Sequence, residues 1–175
     1  MSSARAKASG SWFAVVLGVL APAAVLADRG IDPTQVGWHF SLGPSIAYSY
    51  GSGHGVSANL DLTASYSLLS LSLNGKFVQD GKRPLYGPQL ELSGYFFVSA
   101  GAGVGYLFGS EAGPVIHAFV GVPVPLRDQS RSRSGLVALP YIEPYYRINL
   151  FIPGKVEVIH EAGVFLKLAL HSANP

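Results

Sequence analysis

From Trp38 onward the chain alternates. Trp38, Phe40, Leu42, Pro44, Ile46, Tyr48 and Tyr50 are apolar, while His39, Ser41, Gly43, Ser45, Ala47 and Ser49 between them are small or polar. A period of two sustained over this length marks a β-strand, because successive side chains leave opposite faces. Gly51 to Gly55 reads as a turn, after which a second strand runs from Val56 to Tyr66 and a third from Leu69 to Phe77. The loop Gln79 to Pro84 closes the third. Alternation then continues in phase from Tyr86 to Phe108, too far for one strand, so a turn near Gly94 divides it into a fourth and a fifth. Val115 to Val124, Leu136 to Leu150 and Val156 to Leu170 complete the set, with an Arg/Ser-rich loop over 125–134. The pattern predicts eight antiparallel strands, an all-β chain with no helical period and no domain boundary within 28–175.

Alternation fits two opposite objects. A soluble barrel or sandwich buries its apolar face, and a membrane barrel turns that face outward. Two features favour the second. The polar face is mostly Ser, Gly, Ala and Asn, whereas a water-facing exterior is normally rich in Lys and Glu. Aromatics of the apolar face also gather near strand ends: Trp38, Tyr48, Tyr50, Tyr66, Phe77, Tyr86, Phe96, Tyr106, Phe108 and Phe151. Ten steps of ~3.3 Å from Trp38 to Tyr48, tilted by about 40°, span roughly 25 Å, the height of the apolar band between two aromatic girdles.

Composition sharpens this reading. Apolar residues are 49% and charged residues only 13% of the 175, against about 25% charged in ordinary soluble domains. Residues 1–27 read as a secretory signal peptide: Arg5 and Lys7, an apolar run from Trp12 to Leu20, then Pro22 and a small-residue cleavage site ending at Ala27. Its removal leaves equal numbers of basic and acidic residues, so the net charge of +2 gives no ground for a nucleic-acid partner. The chain has no Cys, which excludes disulfides and a lipid anchor on cysteine.

In this pattern, from Trp38 to Leu170, the chain resembles the small eight-stranded outer-membrane β-barrel proteins of Gram-negative bacteria. The resemblance implies an up-and-down transmembrane barrel in the outer membrane, a monomer whose partner is outer-membrane lipid. Two features depart from the family. The last strand ends on Leu170 followed by His171 to Pro175 rather than on an aromatic, and the long 125–134 loop falls on the side of the termini.

The inward face is expected to hold a polar network of Asp61, Lys76, Glu91, Glu143, Arg147, Glu157, Glu161 and Lys167. An eight-stranded barrel is only just filled by its side chains, and buried charges must pair, so these residues predict a salt-bridged plug. Gly101, Gly103 and Gly105 leave room for bulky inward groups such as Phe119 or Phe165. None of the five His has metal-ligand spacing with another, and neither a metal nor a cofactor is expected. His160 falls on the lipid side beside Glu161, but no Ser accompanies it there, so a lipid A-modifying enzyme is only an alternative to a structural or interaction barrel without catalysis. A soluble periplasmic barrel carrying an apolar ligand is the other. Arg127, Arg131 and Arg133, with Asp128, read as a solvated loop.

Overall fold

The computed structural model describes residues 38–51, 53–80, 83–95, 98–126 and 135–173. The expected signal peptide, Phe96 and the loop residues Arg127, Asp128, Arg131 and Arg133 lie outside this set.

Nine strands form in chain order: β1 Trp38–Tyr50, β2 His54–Tyr66, β3 Leu69–Asp80, β4 Arg83–Tyr95, β5 Ser99–Gly109, β6 Gly113–Gly121, β7 Val124–Pro125, β8 Gly135–Phe151 and β9 Glu157–Ala173. Each pairs antiparallel with its neighbour from β1 to β6, β6 pairs with β8, and β9 returns to β1, so the sheet closes. β7 is the continuation of β6. Gly121 faces Tyr145 and Val124 faces Ile142, which is one unbroken register on β8. The ladder lapses between them because Pro123 has no N–H and Pro144, which faces Val122, has none either; Val122 still donates to the Pro144 carbonyl at 3.0 Å. The barrel therefore has eight staves.

β4 runs to Tyr95 and β5 begins at Ser99, slightly past the expected turn at Gly94, because the Ser93–Gly101 and Tyr95–Ser99 pairs extend the hairpin. β8 and β9 are longer than the sequence suggested, with pairing continuing to Gly135 and Ala173. That extension stands at the terminal rim, where β1 begins and β9 ends. The strand ends Tyr50, His54, Asp80, Arg83, Gly109, Gly113, Phe151 and Glu157 mark the far rim.

Side chains sort by parity. On β1 the odd positions Ser41, Ser45, Ala47 and Ser49 are buried in the lumen, while Leu42, Ile46 and Tyr48 face outward. The same holds on the other staves, where Leu60, Leu62, Leu92, Val104 and Leu166 are each about half exposed or more. The polar set is inside and the apolar set outside, the reverse of a soluble barrel.

Glycines on β5 make the narrow lumen possible. A side chain at Gly103 would collide with the Leu90 carbonyl and the His117 imidazole, whereas one at Gly75 would meet nothing within 4 Å. Gly103→Ala is expected to lower the unfolding free energy by about 1–3 kcal/mol through overpacking. Gly75→Ala should leave it unchanged or slightly raised, as read from the urea midpoint of the refolded barrel in detergent micelles.

Candidate functional site

The lumen is stratified along the barrel axis. Nearest the terminal rim is a vestibule of about 100 Å³, lined largely by hydroxyls, including Ser41, Thr63, Ser65, Ser72, Ser93 and Ser99. Several of these side chains bond to one another, as in Thr63–Ser72 at 2.7 Å and Ser65–Ser70 at 2.8 Å. Glu143 and Lys167 also border this space. The Lys167 ammonium lies 2.7 Å from Asp61 and 3.4 Å from Glu143 and sits over the Phe165 ring at 4.4 Å. Thr63 donates to the other Asp61 oxygen at 2.6 Å, and Ser99 donates to Glu143.

Beneath the vestibule is a second ionic layer. Arg147 is fully buried and donates to Glu91 at 2.9 Å, with Glu161 4.0 Å away. Lys76 meets Glu161 at 2.7 Å and Asn149 at 3.0 Å. His117 bonds to Glu91 at 2.9 Å. The Arg147 guanidinium is also enclosed by the rings of Phe119, Tyr145 and Phe165, each within 6 Å. Such burial is tolerated only because every charge has an opposite partner. The side-chain amides of Asn74 and Gln89 have no hydrogen-bond partner among the described residues, which makes this a layer suited to hold water.

A third layer is apolar. Val78, Leu85, Leu107, Val115, Phe151 and Ile159 form one cluster with at most 1% exposure. Four of these residues stand one inward step beyond an ionic-layer residue on the same strand: Val78 follows Lys76, Phe151 follows Asn149, Ile159 precedes Glu161 and Val115 precedes His117. Charge therefore gives way to hydrocarbon across a single side-chain layer. At the far rim beyond it, Arg83 bridges Glu157 at 3.0 Å and Glu111 at 3.2 Å.

These positions amend the expected sites. Asp61, Glu143 and Lys167 form one cluster, and Lys76, Glu91, Arg147 and Glu161 form the other. Glu157 belongs to neither; it is a part-exposed rim residue paired with Arg83. It points inward like Glu161, but it is four residues nearer the far rim, beyond the apolar layer. Phe151 is not a girdle aromatic. Its 0% exposure puts it in the lumen, because the odd-inward parity of Arg147 and Asn149 holds through the end of β8. Trp38, Tyr48, Tyr66, Phe77, Tyr86, Tyr106 and Phe108 do face outward, and Tyr50 does so partly covered by His160. Most of the described aromatics lie towards the far rim; Trp38 packs with Phe40 and Tyr66 at the terminal rim.

His117 is the network member that spacing alone passes over. Its signal was its register partner: it faces Gly103 across the β5–β6 ladder and occupies the space that glycine leaves. Phe119 fills the equivalent space at Gly101, and Gln89 the one at Gly105. Phe165 lies instead against Tyr145, with ring centroids 4.6 Å apart. His160 and Glu161 leave opposite faces of β9, so no carboxylate orients His160; its Nδ1 lies 2.6 Å from the Tyr146 hydroxyl. Among the described residues no group of three or more His, Cys, Asp or Glu is arranged to hold a metal.

No family model matches the chain, and no curated protein matches it at a significant level. Among solved structures it is similar to the crystal structure of Neisserial surface protein A, with a TM-score of 0.51 at 14% identity, covering 76% of this chain and 96% of that one. At that identity the likeness is one of fold. The chain is an all-β, closed, eight-stranded antiparallel barrel of the architecture seen in Neisserial surface protein A.

Proposed function

We propose that the protein is a small integral barrel of a Gram-negative outer membrane, of structural or interaction type and without catalysis, monomeric, with membrane lipid as the partner of its outer wall. One observation carries the reading: large apolar side chains face outward on every stave while the buried charges face inward. Soluble monomers rarely tolerate a contiguous apolar patch beyond a few hundred Å², and a closed barrel can sit in hydrocarbon because its ladder leaves no edge. A carrier of apolar ligands would line its lumen with the apolar set, whereas the cavity here is walled by hydroxyls and charges. The fold shared with a surface protein supports the same reading.

The expected result of fractionation is recovery with outer membranes, solubilisation only by detergent, and faster gel migration of unheated than of boiled samples. Recovery as a detergent-free periplasmic monomer would sink the proposal.

A further inference from the structure

Five rings on the outer wall near the far rim form one continuous panel drawn from four neighbouring strands. His54 of β2 stacks on Tyr48 of β1, with centroids 5.9 Å apart, and Tyr48 on Tyr50 at 6.2 Å. Tyr50 stacks on His160 of β9 at 4.9 Å, and His160 on Tyr146 of β8 at 6.0 Å. Both histidines are tied through the same atom. The Tyr48 hydroxyl lies 2.6 Å from His54 Nδ1, and the Tyr146 hydroxyl 2.6 Å from His160 Nδ1. Tyr50 donates its hydroxyl proton to the Tyr146 oxygen at 3.4 Å, which leaves the Tyr146 proton free to point at His160 Nδ1. We assign to both histidines the tautomer in which the tyrosine hydroxyl donates to Nδ1 and the ring proton stands on Nε2.

Two ring N–H donors, held in place by tyrosines, thus stand on a wall that is otherwise apolar. A donor facing hydrocarbon without an acceptor is costly, so these positions suit a polar group at the edge of the apolar band. No outward position on β1, β2, β8 or β9 is a carboxylate, and the exposed Lys155 stands in the turn that joins β8 to β9. The outward face beside the panel therefore offers ring N–H donors and a positive charge, with the rim carboxylate Glu157 engaged by Arg83, which matches an anion. An aromatic girdle alone calls for Tyr and Trp; it does not account for two histidines with matched tyrosine partners.

We infer that this panel is a binding site for the phosphate group of a membrane lipid, with His54 and His160 donating through Nε2 and Tyr48 and Tyr146 acting as positioning residues. The inference rests on the membrane reading above. The acyl chains then lie along the apolar wall below the panel, among residues such as Ile46 and Val164, which pair across β1 and β9.

The test is native mass spectrometry of the refolded barrel in maltoside micelles, with phosphatidic acid and a diacylglycerol of the same chains as probes. The wild type is expected to retain phosphatidic acid about tenfold better, the size of effect that one or two charge-assisted hydrogen bonds carry. His54→Ala with His160→Ala should erase that preference while heat-modifiable migration persists. Tyr146→Phe, which leaves both histidines in place, should reduce it. Equal retention of the two lipids, or an unchanged preference in the double variant, overturns the inference. So does complete displacement by excess inorganic phosphate, which would mark a site for the soluble anion rather than the lipid. A protein that stays soluble without detergent refutes the membrane reading instead, so the two failures are distinguishable.

Discussion

Replacement of Arg147 by alanine is expected to destabilise the barrel by about 3–5 kcal/mol, the cost of removing one partner from a buried ion pair. Arg147 is the side chain on which the lower ionic layer converges. It donates to Glu91, neighbours Glu161, and is enclosed by three aromatic rings. Without it, Glu161 retains Lys76, but Glu91 keeps only His117 in a lumen where it is almost fully buried. The measurement is a urea transition in micelles, followed by far-UV circular dichroism and by the fluorescence of Trp38. Removing the negative partner as well, in Arg147→Met with Glu91→Gln, should recover more than half of the loss, since an uncharged pair of similar volume leaves no stranded charge. Breaking the rim pair with Glu157→Gln should cost no more than about 1 kcal/mol, because Arg83 and Glu157 are each about one quarter exposed. An Arg147→Ala variant that unfolds at the wild-type urea concentration would show that the layer is not stabilised by this residue.

The second large effect concerns the seal. The vestibule and the ionic layer are polar and share Glu91, which borders the cavity and bonds to Arg147 and His117. Water can be accommodated to that depth. Beyond it, Val78, Leu85, Leu107, Val115, Phe151 and Ile159 close the bore with hydrocarbon. The wild type is expected to be silent in planar bilayers, and Leu107→Ala combined with Phe151→Ala should produce resolvable conductance steps. Trimming these two side chains joins the polar lumen to the far rim, where Arg83 pairs with Glu157 and Glu111. Large-to-small changes of this kind each cost about 2–5 kcal/mol, so heat-modifiable migration must first confirm that the variant is folded. The milder Leu107→Val with Phe151→Leu then serves as a closed control. Glu91→Gln should remain silent, because it loosens the ionic layer and leaves the apolar one intact. A folded double-alanine variant without conductance would place the block in the ionic layer instead.

Much of the architecture was legible in the sequence because a strand writes its two faces into alternate positions. β1 spans the same residues, Trp38–Tyr50, that alternation assigned to it. Inward parity also pointed to Asp61, Lys76, Glu91, Glu143, Arg147, Glu161 and Lys167, each of which is buried. The structure departs from that reading where parity runs on to the strand end or where depth matters more than face. Phe151 is an aromatic near a strand end, as a girdle residue would be, yet the ladder with Val115 and Glu157 keeps it in phase on the lumen side. Glu157 has the inward parity of its neighbours but lies past the apolar layer, and depth along a strand has no signature in alternation.

What the sequence by itself determined is thus local: strand against turn, one face against the other, and a polar set too poor in charge to be a water-facing exterior. Which inward residues meet was decided only by closure. Lys76 and Glu161 are 85 positions apart on strands that are not neighbours in the sheet, and they touch because the barrel folds its wall across a lumen barely wide enough for two side chains. The division into vestibule, ionic layer and apolar seal has the same origin. Strand stagger and the tilt of the wall bring residues of different sequence position to one height, and no periodicity along a single strand encodes that height.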